Sequence, residues 1–186
     1  MPVKLGAKAE HGFNEPLGLM SDCHRRIEHF LAVLERVIEK AQGNELNDEQ
    51  RRAVETALSY FKTASPRHTQ DEERSLFPLM RESELPQARE ALRMLDALEH
   101  DHAAADMAHA EADRWFRQWL DLGSLAEPQR QRLAQVLSAL RQMYQRHIDL
   151  EEREVFPLAG QILSPDQLAR VGREMADRRG LPSNEP

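Results

Sequence analysis

Two stretches of the chain place a histidine and a glutamate four residues apart, then a second acid and a Phe-Pro pair. They are His68-Thr-Gln-Asp-Glu72-Glu73-Arg-Ser-Leu76-Phe77-Pro78 and His147-Ile-Asp-Leu-Glu151-Glu152-Arg-Glu-Val155-Phe156-Pro157, an offset of 79 residues. An α-helix turns about 100° per residue, so positions i and i+4 differ by roughly 40° around the axis and about 6 Å along it. A histidine and a glutamate spaced in this way can reach one metal centre. Each pair lies on an apolar stripe, formed by Val54, Leu58, Phe61 and Leu79 in one case and by Leu133, Leu140, Tyr144 and Leu158 in the other. Glutamate is almost never buried without a partner, so its place on such a stripe calls for a cation. His24 continues the stripe of Met20, Ile27 and Leu31, and His102, offset from it by 78 residues, continues that of Leu95, Leu98 and Ala105. Four histidines and two carboxylates are thereby predicted to converge inside a helical protein: His24, His68, Glu72, His102, His147 and Glu151.

This donor set contains no sulfur. Imidazole with carboxylate suits non-haem iron and manganese, and also zinc, whereas calcium and magnesium prefer oxygen alone. Six ligand residues are too many for one tetrahedral zinc and too few to saturate two octahedral ions. Bridging carboxylates and an exogenous oxygen would fill part of the deficit and leave a position open to a small molecule. A lone inward histidine is usually a hydrogen-bonded core residue. Four at matching offsets, two with glutamate at i+4, favour ligation. The other histidines read differently: His100 lies about 200° around from His102 and is a surface residue, and His109, about 10 Å along the axis, is core or the lining of an access path. His29 and His11 are read as solvated. Glu73 and Glu152 are read as surface charges, while Glu28 and Asp106 are candidates to accept an imidazole N–H.

Helices must hold these groups. Residues 1–16, with Gly6, Gly12 and Pro16, read as an arm. The first helix spans about Leu17 to Ala41, stopped by Gly43. Asn47 and Gln50 form a capping-box pattern for the second, which runs towards Met80 with Pro66 inside it, where a kink without a break is expected. The third starts near Pro86 and ends at Gly123, with Trp115 and Trp119 packing at its end. The fourth opens at Pro128 and reaches about Leu158. A short fifth helix is announced by Ser164-Pro165-Asp166-Gln167 and closed by Gly180 and Pro182. Four long helices with short connections predict an all-α, antiparallel up-down-up-down four-helix bundle over 17–160, followed at 161–186 by the short helix and a tail. The internal repeat predicts approximate two-fold symmetry, broken where Pro66 is matched by Gln145.

Composition narrows the setting. The 186 residues fit one domain, and 40% hydrophobic, 31% charged and 5% aromatic content fits amphipathic helices. A formal charge of −7 argues against nucleic acid or an anionic membrane as partner. No long apolar run or signal-like N-terminus is visible, so a cytoplasmic location is expected. The single cysteine, Cys23, cannot form an internal disulfide and reads as a small buried thiol.

The paired motifs resemble the hemerythrin-like, or HHE cation-binding, family. In that family the pattern H-x-x-x-E-E-x-x-[hydrophobic]-F-P occurs on the second and fourth helices, and both copies here match it fully. Asp22-Cys23-His24-Arg25-Arg26-Ile27-Glu28 and Asp101-His102 look like its first- and third-helix patterns. The resemblance covers about residues 17–160. It implies a four-helix bundle with two iron ions, Fe2+ or Fe3+, joined by an oxo or hydroxo bridge, zinc or manganese being the alternatives. The histidines would be terminal ligands, and Glu72 and Glu151 bridging carboxylates. The implied partner is oxygen, nitric oxide or peroxide, in sensing, iron handling or stress protection, so the chain reads as a binding protein more than an enzyme. Oxygen-carrying members have a further histidine where this chain has Asp106, which counts against a dedicated carrier role. A ferritin-like di-iron oxidase is a weaker alternative, because only Glu99-x-x-His102 fits its Glu-x-x-His pattern. A metal-free helical interaction module is the other.

Overall fold

The structure, a computed structural model, describes residues 11–181, with Glu90 by its backbone alone, and all regular structure among them is helical. Seven α-helices follow in order: α1 (Pro16–Ala41), α2 (Asp48–Asp71), α3 (Phe77–Glu82), α4 (Ala88–Leu122), α5 (Glu127–Leu150), α6 (Phe156–Ile162) and α7 (Pro165–Arg178). Two π-helical turns join α2 to α3 at Glu72–Leu76 and α5 to α6 at Glu151–Val155. Pro16 belongs to α1, not to an arm. Residues 1–10 and 182–186, which include Gly6 and Pro182, lie outside the described residues.

Local chemistry accounts for the helix ends. Asn47 Oδ1 accepts from the Gln50 backbone N–H at 2.9 Å while Gln50 Oε1 accepts from the Asn47 N–H at 3.0 Å. Ser164 and Gln167 make the same reciprocal pair at the start of α7. Gly43 follows α1 with φ 81°, and a Cβ there would lie 2.4 Å from the Leu125 carbonyl oxygen, so both its conformation and its neighbour require glycine. The α2 helix passes Pro66 without a break.

Hydrophobic periodicity does not predict the π turns. An α-register would have residue 78 donate to the carbonyl of Arg74, and residue 157 to that of Arg153, but both positions are proline and have no N–H. The preceding phenylalanines donate one residue further back instead, Phe77 to the Glu72 carbonyl and Phe156 to that of Glu151. Each copy of the repeated motif therefore opens its π turn on the glutamate that follows the inward histidine.

By their contacts the described residues fall into two compact units. One comprises the chain through Arg26, Pro66–Glu99 and Ile148 onward. Its core includes Met20, Leu76, Phe77, Leu95, Phe156 and Met175. The other comprises Ile27–Ser65 and His100–His147. There Leu34, Leu58, Phe116 and Leu133 are buried, and the α1–α2 and α4–α5 connections meet, with Leu125 N–H donating to Gly43 at 2.9 Å. Trp119 is fully buried in that unit and its Nε1 donates to the Asn44 carbonyl at 2.9 Å, whereas Trp115 is only half-buried.

Candidate metal centre

In the first unit, His24 from α1, His68 from α2 and the leading glutamates of both π turns meet. Glu72 and Glu151 have no solvent exposure, and His24 and His68 are buried. His68 Nε2 lies 3.2 Å from Glu72 Oε1, the contact expected from the i,i+4 spacing. His24 Nε2 lies 3.0 Å from Glu151 Oε2 and 3.9 Å from Glu72 Oε1. Donor atoms of these four residues all fall within 4.8 Å of one another. Ligands about 2.1 Å from a common ion stand roughly 3 Å apart when adjacent and about 4.2 Å when opposite. The quartet is gathered to nearly the dimensions of one coordination sphere, so its donor atoms could hold an ion.

The tautomer of His24 sharpens this reading. Its Nδ1 lies 2.9 Å from Glu152 Oε1, which is acceptor-only when ionised, so Nδ1 carries the proton. In a neutral ring Nε2 then presents a lone pair to the Glu151 carboxylate. Two acceptors in contact are repulsive unless a cation, H+ or a metal ion, sits with them. Burial by itself would lower the His24 pKa, but the carboxylates of Glu151, Glu152 and Glu72 overcome it and hold the ring well above the usual histidine range. The pocket is built to attract positive charge. His24 also stacks on Phe156, with ring centroids 5.5 Å apart, which fixes its plane.

In the second unit His102 and His147 are buried with their Nε2 atoms 3.2 Å apart, the separation of two adjacent ligands on one ion. His147 Nδ1 faces Asp101 Oδ2 at 3.6 Å. Further from this pair, Tyr144 hydrogen-bonds His109 Nε2 at 3.0 Å, and His109 stacks on Phe61 with centroids 4.3 Å apart.

All six predicted ligands are thus buried, but several neighbours differ from expectation. Glu28 and Asp106 are exposed. The acids that face the imidazole Nδ1 atoms of His24 and His147 are instead Glu152 and Asp101, and Glu152 is more than a surface charge. A signal for Glu152 existed: it follows a buried glutamate directly, and a long side chain leaving the edge of a stripe can turn back to it. His11 is not simply solvated either, since its backbone N–H donates to Asp22 at 2.9 Å. Glu99 pairs with Arg81 at 2.7 Å on an exposed surface, so the Glu-x-x-His pattern required of a ferritin-like site is not supplied by Glu99 and His102. His100 and His29 are exposed, as expected.

A helical protein with buried imidazoles and carboxylates gathered to the dimensions of an ion is, by class, a cation-binding helical protein. The family comparison agrees: residues 15–159 match the hemerythrin HHE cation binding domain. With most of its length matched, the chain belongs to that family. It is also 32% identical over 173 residues to an uncharacterized protein of Haemophilus influenzae, covering 90% of this chain and 91% of that one. No helix among the described residues is long and apolar enough to cross a membrane.

Proposed function

We propose that this chain is a non-haem di-iron protein, an antiparallel four-helix bundle that binds oxygen, nitric oxide or peroxide at a coordination position its own side chains leave open. His24 and His68 would be terminal ligands of one ion and His102 and His147 of the other, with Glu72 and Glu151 shared between them. The observation that carries the reading is the quartet of His24, His68, Glu72 and Glu151, buried together within 4.8 Å and free of sulfur. Each carboxylate follows its histidine by one helical turn, and the histidine of each pair would fall to a different ion.

The donor chemistry favours iron or manganese over calcium and magnesium. Six protein ligands on two octahedral ions leave sites for a bridging oxygen and for an exogenous molecule, and iron there would supply reversible binding of a diatomic or peroxide ligand. The protein's share is to exclude bulk water with Phe156 and its neighbours and to orient His24 through Glu152. The half-buried Glu99, paired with Arg81, argues against the ferritin-like oxidase alternative.

The test is elemental analysis of protein purified without a chelating tag, with optical spectra of the anaerobic ferrous form before and after oxygen or nitric oxide. Two iron ions per chain and a ligand-dependent visible band are expected. A chain that takes up no iron, or only zinc, would overturn the proposal.

A further inference from the structure

The π turn that carries Glu72 is bonded on both sides of that residue to the last turn of α7. Asp71, immediately before Glu72, is fully buried and bonded to two arginines. Arg178 Nη1 donates to Asp71 Oδ1 at 2.7 Å; Arg179 donates through Nη1 to Oδ1 at 3.2 Å and through Nη2 to Oδ2 at 2.6 Å. Three residues after Glu72, the Ser75 hydroxyl accepts from Arg178 Nη2 and donates to Glu174. A buried carboxylate is tolerated only with such full pairing, so the contact is specific as well as close.

The same arginine reaches the other ligand-bearing segment. Arg179 also lies beside Cys23, the residue before His24, and Arg26 donates to that sulfur at 3.3 Å. One guanidinium is therefore bonded to the immediate neighbour of Glu72 and stands next to that of His24. Arg179 is itself held by the Phe13 ring, 5.8 Å from its centroid, and by the Met175 carbonyl at 2.7 Å. That carbonyl belongs to the C-terminal turn of α7, where the helix dipole favours a cation.

The repeat shows that this device belongs to one half only. At the offset of 79 residues, Asp71 corresponds to Leu150 and Ser75 to Glu154. Leu150 packs on the apolar cluster and Glu154 is exposed. One carboxylate-bearing turn is secured by polar bonds to α7, whereas its twin has an apolar side chain at the corresponding position.

We propose that Arg178 and Arg179 are positioning residues for the metal centre, acting through Asp71 and Cys23 to fix where Glu72 and His24 present their donor atoms. The metal-binding part of this inference rests on the proposed function. Its test uses the full-length chain and the variants Arg178→Ala/Arg179→Ala, Asp71→Asn and Arg178→Lys/Arg179→Lys. In metal-free protein, backbone amides of the Glu72 turn are expected to exchange hydrogen about tenfold faster or more in the double-alanine and Asp71→Asn variants, with the Glu151 turn unchanged. Anaerobic titration with Fe2+ should show the first ion held about tenfold more weakly or worse, the lysine variant lying in between because it keeps the charge but loses the fork.

Faster exchange in both turns alike would mean general destabilisation and would overturn the assignment. So would unaltered exchange in the Glu72 turn, or wild-type Fe2+ affinity despite a loosened turn. If the wild-type chain itself fails to bind Fe2+, the proposed function falls; if it binds and the variants match it, the positioning role alone falls.

Discussion

Replacing Glu152 tests whether the site depends on the acid behind a ligand as well as on the ligands. The carboxylate sits 2.9 Å from His24 Nδ1 and has 37% of its side chain exposed, while His24 is only 1% exposed. Glu152→Ala removes the acceptor that fixes the ring's tautomer and orientation. Loss of such a partner commonly weakens metal binding about 10–100-fold, or roughly 1.4–2.7 kcal/mol. Because Glu152 reaches solvent, water can take over part of its role, which places the expected loss near ~10-fold. Glu152→Gln keeps a neutral acceptor and should lose less than about tenfold. Competition for Fe2+ against a chromophoric chelator measures this, with Glu154→Ala, an exposed acid two residues on, as the control. Wild-type affinity in Glu152→Ala, or an equal loss in the Glu154 control, would refute the argument.

Two further outcomes follow from the packing. Burial lowers the His109 pKa to about 4, so the unfolded chain binds a proton in the acid range that the folded chain does not, and stability should fall as pH drops from the ordinary histidine range towards 4. The ceiling of this contribution is about 3 kcal/mol. His109→Phe, which keeps the stack on Phe61, should narrow the difference in Tm between pH 7 and pH 5, as read by thermal melts. At Gly172 a Cβ would stand 1.8 Å from the Phe13 carbonyl oxygen, so Gly172→Ala must displace backbone and should cost about 1–3 kcal/mol or more in urea unfolding.

Much of the site was legible because helical periodicity and ligand chemistry coincide. His68 and Glu72 stand one turn apart on an apolar stripe, and no apolar environment accepts that pair without a cation. The capping boxes at Asn47 and Ser164 were legible for a similar reason, since they are local and need no tertiary information. What escaped was set by register or by distant partners. A wheel drawn at one constant angle cannot show the change of register at Glu72 and Glu151, although Pro78 and Pro157, each without an N–H to give, marked the places. Glu152 lay off the stripe by angle and reached His24 through the length of its side chain. Asp71 read as one more acid, because the arginines that neutralise it lie more than a hundred residues away in sequence.

The two π turns have a consequence for how this protein can change. One surplus residue in a regular helix would rotate everything beyond it by about 100° and expose its apolar side. A wide turn absorbs the surplus within a few residues, so the flanking helices keep facing inward. Deleting one residue between 73 and 75 would remove that surplus and leave Glu72 one turn beyond His68, but Pro78, with no N–H to give, would then interrupt the ladder of an ordinary helix. The surplus residue and the proline behind it therefore work as a pair, and losing one alone would leave a mismatch in the helix next to the cation site.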